Sequence, residues 1–114
     1  MLNDPSAVTV CVVIPLFNAA ASIQRTLDSV SAQTRLPDKV IVVDDGSSDA
    51  GPEIVKHYAA PFPIVLLQQP NQGPASARNR GVFSAEETFI AFLDADDRWH
   101  PEKLQKQLTL HAEL

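Results

Sequence analysis

The sequence is poor in cysteine, in positive charge and in long apolar runs, and each shortage excludes a class of protein. Its one cysteine among 114 residues cannot form an internal disulfide, so nothing indicates an oxidising compartment. No apolar run approaches the roughly 18–20 residues of a membrane-spanning helix. Nine basic and 14 acidic residues give a net charge of −5, whereas a nucleic-acid-binding protein normally presents a basic face. We therefore expect neither a membrane span nor a nucleic-acid partner.

Several short signals are also missing. The first ten residues, MLNDPSAVTV, lack the basic and then apolar layout of a secretory signal, so a cytoplasmic location is expected. The patterns G-x-G-x-x-G, G-x-x-x-x-G-K-[ST] and G-x-S-x-G do not occur. The sequence therefore does not indicate a dinucleotide fingerprint, a P-loop or a hydrolase nucleophile elbow.

What the sequence does contain is four apolar runs separated by helix-like stretches. The runs are residues 8–14 (VTVCVVI), 39–43 (KVIVV), 64–67 (IVLL) and 88–93 (TFIAFL). After the first run, Ile23, Leu27 and Val30 recur at the spacing of one helix face. Further helices are predicted over residues 52–60, over residues 75–85 and from Pro101 onward. This alternation predicts one α/β domain over residues 1–114, with a mainly parallel sheet and helices on both faces.

Ligands of such sheets collect beyond the carboxyl ends of the strands, so the residues there are the candidates for a site. These strand-end sets are PLFN (15–18), DDGS (44–47), NQG (71–73) and DADD (94–97). Asp94 and Asp96 are two residues apart, which in an extended chain points both side chains to the same side. Two converging carboxylates suit Mg²⁺ or Mn²⁺ shared with a phosphorylated ligand. A cap for the last helix explains Asp96 or Asp97 equally well while this motif is taken alone.

The acidic pair Asp44 and Asp45 also has two interpretations. A carboxylate here can accept a hydrogen bond from a ribose hydroxyl or a base N–H, and Gly46 lets backbone approach closely. A turn that caps the next helix is the simpler explanation when the pair is taken alone. The acidic cluster at residues 94–97 is predicted to lie at a neighbouring strand end. Two acidic clusters side by side favour a ligand site over two unrelated turns. Arg78 could face a diphosphate or solvent, and Phe17 could stack on a base or simply pack.

Taken together, four segments resemble the N-terminal half of family 2 glycosyltransferases with the GT-A fold. In order they are VVIPLFNAAASIQRTLDSVSAQT, VIVVDDGSSD, NQGPASARNRG and FIAFLDADDRWHPEKL. The resemblance covers residues 10–108, nearly the whole chain. It implies a Rossmann-like domain that binds a nucleoside-diphosphate sugar, most commonly a UDP-sugar, with a divalent cation, Mn²⁺ or Mg²⁺. It also implies transfer of the sugar, with inversion, to an acceptor hydroxyl that the residues do not identify.

The resemblance assigns the nucleoside side of this site to the first two strand ends. Pro15, Phe17 and Asn18 match the motif that lines the nucleoside pocket. Asp45 matches the acid that contacts the base, with Asp44 beside it. By residue pattern alone, Asn18 can also cap the helix that follows it.

The phosphate and metal side is assigned to later residues. Arg78 would lie near the phosphates, Asp96 would coordinate the cation on the diphosphate, and Asp94 would contact the ribose or share the metal. The family's general base lies well downstream of the D-x-D, whereas this chain ends at Leu114. No catalytic base is therefore expected within residues 1–114, and the acceptor-binding half has no counterpart. We expect such a chain to bind the donor but to transfer sugar poorly or not at all.

Two alternatives to an enzyme are kept. A signalling receiver domain has a similar length and paired acids after an apolar strand, but it needs that pair on its first strand and a Lys near the end of a fifth. A non-catalytic nucleotide-sugar-binding module fits the absence of the base. In so short a chain an apolar sheet edge could be exposed, and a homodimer would cover it. In a longer protein this domain could work at the inner membrane face.

Overall fold

Four strands form one sheet in the computed structural model, which describes the backbone of residues 8–113 and the side chains of residues 8–110. The strands are β1 (Val10–Leu16), β2 (Lys39–Asp44), β3 (Ile64–Gln68) and β4 (Phe89–Phe92). Their order is β3-β2-β1-β4, and every pairing is parallel. The predicted parallel α/β fold is therefore confirmed. Residues 1–7, which contribute to the expectation of a cytoplasmic location, lie outside the described residues.

The helices cover both faces of the sheet, as predicted. They are α1 (Ile23–Ser31), α2 (Gly51–Lys56), α3 (Pro74–Ser84) and α4 (Lys103–Glu113). Helices α1, α2 and α4 pack on one face, and α3 packs on the other. Strand order reverses after β3, and right-handed crossovers then require the helix between β3 and β4 to lie on the opposite face. None of the helices within residues 8–113 has both the length and the hydropathy that a membrane crossing requires.

Strand β1 lies at the centre of the sheet and is buried on both faces, as its continuous apolar run predicts. Val12 and Ile14 face the core beneath α1 and α4, whereas Cys11 and Val13 face α3. Burial, reinforced by the charge of Glu87, raises the pKa of the Cys11 thiol to about 11. Cys11 is therefore a protonated core residue at neutral pH.

Helix α3 passes close over the central strand at Gly81. A Cβ atom at this position would lie 2.3 Å from Cγ1 of Val13, which is fully buried. Glycine is expected to weaken a helix, but here the absence of a side chain permits the contact between the helix and the sheet.

Two local predictions from sequence are corrected. The second helix ends at Lys56 instead of residue 60. Asn18 does not cap α1, which begins at Ile23 after Ser22. Asn18 instead adopts a left-handed conformation with φ of 49°, which asparagine tolerates better than most residues.

Candidate functional site

The carboxyl ends of the strands surround a cavity of about 640 Å³. Seven of the residues proposed from sequence line it: Pro15, Phe17, Asn18, Asp45, Arg78, Asp94 and Asp96. They come from the ends of β1, β2 and β4 and from α3. The direction of the strand order changes beside β1, and such a switch point is where open parallel sheets leave a crevice. The fold thus brings together side chains that are up to 81 residues apart in sequence.

The loops after β1 and β2 are joined by side-chain hydrogen bonds. The Asn18 amide N–H donates to Ser47 Oγ at 2.9 Å, and Asn18 Oδ1 accepts from the Ser48 amide at 2.8 Å. The Ala20 amide donates to Asp49 Oδ2 at 3.0 Å. These contacts explain the left-handed backbone of Asn18 and fix the cavity wall on which Phe17, half exposed, is presented.

Asp45 is 3% exposed and accepts hydrogen bonds from the turn that follows β3. The Gln72 and Gly73 amides donate to it at 2.8 and 2.9 Å, and Gln69 Nε2 donates at 2.9 Å. Asn71 Nδ2 lies 3.3 Å from the second carboxylate oxygen. Burial by itself raises the pKa of this carboxyl, but the bonds from Gln69, Gln72 and Gly73 outweigh it and lower the pKa.

This network has a consequence for the role predicted for Asp45. A carboxylate offers about four acceptor positions, and four donors of the chain lie within hydrogen-bonding distance of it here. Contact between Asp45 and a base N–H stays a prediction. It requires the base to replace one of these four donors.

Asp44 lies outside the cavity lining. Its carboxylate is buried and accepts from the Ser47 amide at 3.2 Å, and Gln68 Nε2 lies 3.5 Å away. Asp44 therefore stabilises the turn around Gly46, whose φ is 81°. A Cβ atom on Gly46 would lie 2.8 Å from the Asn71 amide nitrogen, so only glycine fits between the two loops.

The D-x-D segment does not continue as an extended strand. The Asp97 amide donates to the Asp94 carbonyl at 3.0 Å, which closes a turn around Ala95 and Asp96. The expectation that an extended chain aligns the two carboxylates is therefore wrong. The turn itself brings Asp94 and Asp96 to the same cavity, while Ala95 between them is buried in the core.

Arg78 provides the positive charge in the cavity. Its Nη2 atom lies 3.2 Å from Asp94 Oδ1, and both side chains are partly exposed to solvent. Asp96 is exposed and forms no hydrogen bond or ion pair with the residues that the structure describes. The cavity therefore contains one ion pair, which a ligand can exchange at low cost, and one uncommitted carboxylate.

Among residues 8–113, no group of three or more Asp, Glu, His or Cys side chains is arranged to hold a metal ion. Asp94 and Asp96 supply only two carboxylates, which are hard oxygen ligands of the kind that Mg²⁺ and Mn²⁺ prefer. This donor set fits a cation that takes its remaining ligands from water and a bound phosphate.

A polar stripe along α1 and the residues just beyond its two ends, which sequence reasoning missed, holds the D-x-D segment and the residues that follow it in place. Ser22 Oγ donates to the Ala95 carbonyl at 2.8 Å, and Gln33 Nε2 donates to the His100 carbonyl at 2.7 Å. Thr26 Oγ1, with the residue only 1% exposed, lies 2.9 Å from the Ala95 carbonyl and 2.7 Å from the Asp97 carbonyl. These polar residues recur at helical spacing, but polar residues on a solvent-exposed helix face have the same spacing. The sequence pattern therefore does not show that they contact another segment.

Replacement of Thr26 by valine is expected to lower the free energy of unfolding by about 1–3 kcal/mol, because the partly buried Asp97 carbonyl loses the hydrogen bond that Thr26 Oγ1 donates to it. Urea unfolding followed by circular dichroism measures the change. Thr26→Ser is the matched control, because it retains the hydroxyl and is expected to keep most of the stability. Equal stability of the valine variant and the wild type would contradict this role for Thr26.

Comparison with known proteins gives a consistent result. The sequence model of the family described as "Glycosyl transferase family 2" matches residues 11–114. "Amylovoran biosynthesis glycosyltransferase AmsB" of Erwinia amylovora is 42% identical over 107 residues, which cover 90% of this chain and 36% of that protein. The chain spans about a third of the length of this relative and of a similar Escherichia coli glycosyltransferase, and 15% to 42% of the length of other curated relatives.

Two solved structures resemble the fold. S. aureus TarS 1-349 in complex with UDP-GlcNAc has a TM-score of 0.85 and 31% identity, covering 92% of this chain and 31% of that one. The mannosyltransferase PcManGT from Pyrobaculum calidifontis in complex with GDP-Man and Mn²⁺ has a TM-score of 0.80 and 27% identity, covering 96% of this chain and 33% of that one. The receiver-domain alternative has no support in these matches.

Proposed function

Since this chain belongs to glycosyl transferase family 2, we propose that its cavity binds the nucleoside diphosphate part of a sugar donor. The observation that carries the proposal is the meeting of Arg78, Asp94 and Asp96 in one cavity at the switch point of the sheet. A guanidinium binds phosphate oxygens directly. Two exposed carboxylates beside it bind the same anion only through a cation.

A divalent cation, Mn²⁺ or Mg²⁺, completes this arrangement. Asp96 is the better protein ligand, because its carboxylate has no partner among the described side chains, whereas Asp94 is paired with Arg78. When the diphosphate binds, Arg78 exchanges Asp94 for a phosphate oxygen and frees that carboxylate for the metal or the ribose. A bound cation neutralises charge on the leaving nucleoside diphosphate. The Mn²⁺ in the complex of the similar mannosyltransferase supports this part of the proposal.

The nucleoside lies, in this proposal, against Pro15, Phe17 and Asn18. Phe17 is 50% exposed at the cavity, which leaves a ring face available for stacking on a base. Asp45 holds the wall opposite and contacts the base when one of its donors is exchanged. UDP-sugar is the proposed donor, and the UDP-GlcNAc complex of TarS supports it.

Sugar transfer belongs to the longer protein in this proposal. The family role is an inverting transfer to an acceptor hydroxyl, and the base that it needs is proposed to lie outside residues 1–114. This chain then binds the donor without efficient transfer. The name of the amylovoran biosynthesis relative supports a glycan acceptor in polysaccharide synthesis.

Strand β4 lies at the edge of the sheet, and self-association through it is part of the proposal. Phe92 on this strand is 47% exposed, and Phe83 on α3 is 93% exposed. A second copy that pairs with β4 would cover the strand edge and reduce the exposure of Phe92. The state of association is therefore measured in the same preparation as ligand binding.

Calorimetric titration of the 114-residue chain with UDP-, GDP- and dTDP-sugars, each with and without Mn²⁺, tests the proposal. We expect saturable binding of the UDP-sugar that requires the metal. Circular dichroism confirms that the chain is folded before titration. A folded chain that binds none of the three nucleotides would overturn the proposal, and metal-independent binding would overturn the role of the cation.

A further inference from the structure

A second cleft, of about 420 Å³, lies between α1 and the segment that follows Asp97. Its lining residues are Arg25, Asp28, Ser29, Arg98 and Trp99. It shares no lining residue with the cavity proposed for the donor. Asp94, Ala95 and Asp96 line the first cavity and Arg98 and Trp99 line the second, so a role for this cleft is separate from donor binding.

Its two arginines differ from the others in the described part of the chain. Arg35 and Arg80 donate to backbone carbonyls, and Arg78 pairs with Asp94. The guanidinium groups of Arg25 and Arg98 have no hydrogen bond or ion pair with the described residues. In a chain of net charge −5, both of these arginines line the same cleft, and uncommitted guanidinium groups are suited to binding an anion.

Asp28 is the one acidic residue in the lining. Its Oδ1 atom accepts a hydrogen bond from Tyr58 Oη at 2.7 Å. One oxygen of this carboxylate is therefore bound by a residue that does not line the cleft. The lining therefore keeps a net positive charge of one, in contrast to the surface of the chain as a whole.

Trp99 gives the cleft a fixed aromatic wall. Its backbone N–H donates to Ser29 Oγ at 3.2 Å, and its indole packs partly against the main core while it also lines the cleft. An aromatic ring held in this way can pack against the apolar face of a sugar ring. Two arginines beside such a ring are suited to a sugar that carries an anionic group.

We propose that this cleft binds an acidic sugar, with Arg25 and Arg98 on its carboxylate or phosphate group and Trp99 on its ring. The same chemistry is found in a uronate unit of a glycan and in a sugar phosphate. Both present an oxyanion within reach of a pyranose ring. Arginine forks bind either oxyanion through two parallel hydrogen bonds.

Trp99 is the only tryptophan of the chain and lines both this cleft and a cleft beside β4, so its fluorescence reports binding and the arginine variants assign the change to this cleft. The chain is titrated, without nucleotide, with glucuronate, glucose 6-phosphate, glucose and inorganic phosphate at a fixed high ionic strength. We expect a saturable change with glucuronate, glucose 6-phosphate or both, and the arm that binds identifies the source of the oxyanion. Arg25→Gln and Arg98→Gln are each expected to weaken this binding by about tenfold.

Lys106→Gln is the matched control, because it removes one positive charge from an exposed position on α4 outside the cleft. It is expected to leave the titration unchanged. Equal binding of inorganic phosphate and the sugar phosphate would overturn the role of the sugar ring. No saturable change with either acidic sugar, or unchanged affinity in both arginine variants, would overturn the site. Because no nucleotide is present, failure here is distinct from failure of donor binding.

Discussion

Replacement of Asp96 by asparagine is expected to weaken the Mn²⁺-dependent binding of a UDP-sugar by about 100-fold. The proposed metal site has only two protein carboxylates, so loss of one removes half of the charge that the chain contributes. The fold is expected to remain intact, since Asp96 is exposed and makes no described side-chain contact. Calorimetry at several Mn²⁺ concentrations separates a loss of metal affinity from a loss of nucleotide affinity.

Asp97→Asn is the control for this measurement. Asp97 has the same charge and is also exposed, but it lies outside the cavity lining. We expect its substitution to change the donor affinity by less than about threefold, because a solvent-exposed charge interacts weakly across the turn. Equal losses in the two variants would show that the general negative charge, instead of a ligand at position 96, supports binding.

The second large effect is expected at Asp45. Asp45→Asn replaces one acceptor oxygen by an NH₂ group, which then faces backbone N–H donors of Gln72 or Gly73. Partly buried N–H donors that face an NH₂ group instead of an acceptor are costly, and we expect the free energy of unfolding at pH 7 to fall by about 1–3 kcal/mol. Urea unfolding measures this loss. Glu53→Gln, which removes an exposed acid on α2, is expected to have almost no effect.

The same variant has a pH signature whose sign follows from the direction of the pKa shift. The folded-state pKa of Asp45 lies below the ordinary value of 3.8. The stabilisation by the ionised carboxylate is therefore complete above about pH 4 and is lost as the pH falls through the folded-state pKa. The difference in stability between wild type and Asp45→Asn is expected to narrow below about pH 4. A difference that stays constant down to acid unfolding would contradict this origin of the stability.

Much of the fold is predictable from sequence because it depends on local patterns. Four β-branched runs alternate with helical spacings such as Ile23, Leu27 and Val30, and parallel strands require such crossovers. The order of the strands is less accessible, since it depends on which helix can cross β1 closely. Helix α3 crosses β1 closely because Gly81 contacts Val13, and the sequence shows only that a predicted helix contains a glycine.

The candidate site is also predictable from sequence only in part. Its acidic residues stand out after strand ends, so Asp45, Asp94 and Asp96 are candidates from position, but the resemblance to a family is needed to favour a ligand site over turns and caps. The turn that aligns Asp94 with Asp96 and the saturation of Asp45 by loop amides are not recognisable, because both depend on backbone geometry. Thr26 was missed for a related reason. Thr26 follows Arg25 and lies two residues before Asp28, so in the sequence it resembles a surface residue until the segment that it supports is placed against it.

The position of β1 also has a consequence for the order in which the domain assembles. This strand is synthesised first but lies between β2 and β4, pairing six residues with β2 and four with β4. Strands β1, β2 and β3 can therefore pair as they leave the ribosome, whereas one side of β1 waits until β4 is made. The wall that Asn18 and Ser48 join can form early in this sequence. Strand β4 is the last strand to join the sheet, and because its pairing is shorter it is expected to be the first strand to open, together with the acidic turn that follows it.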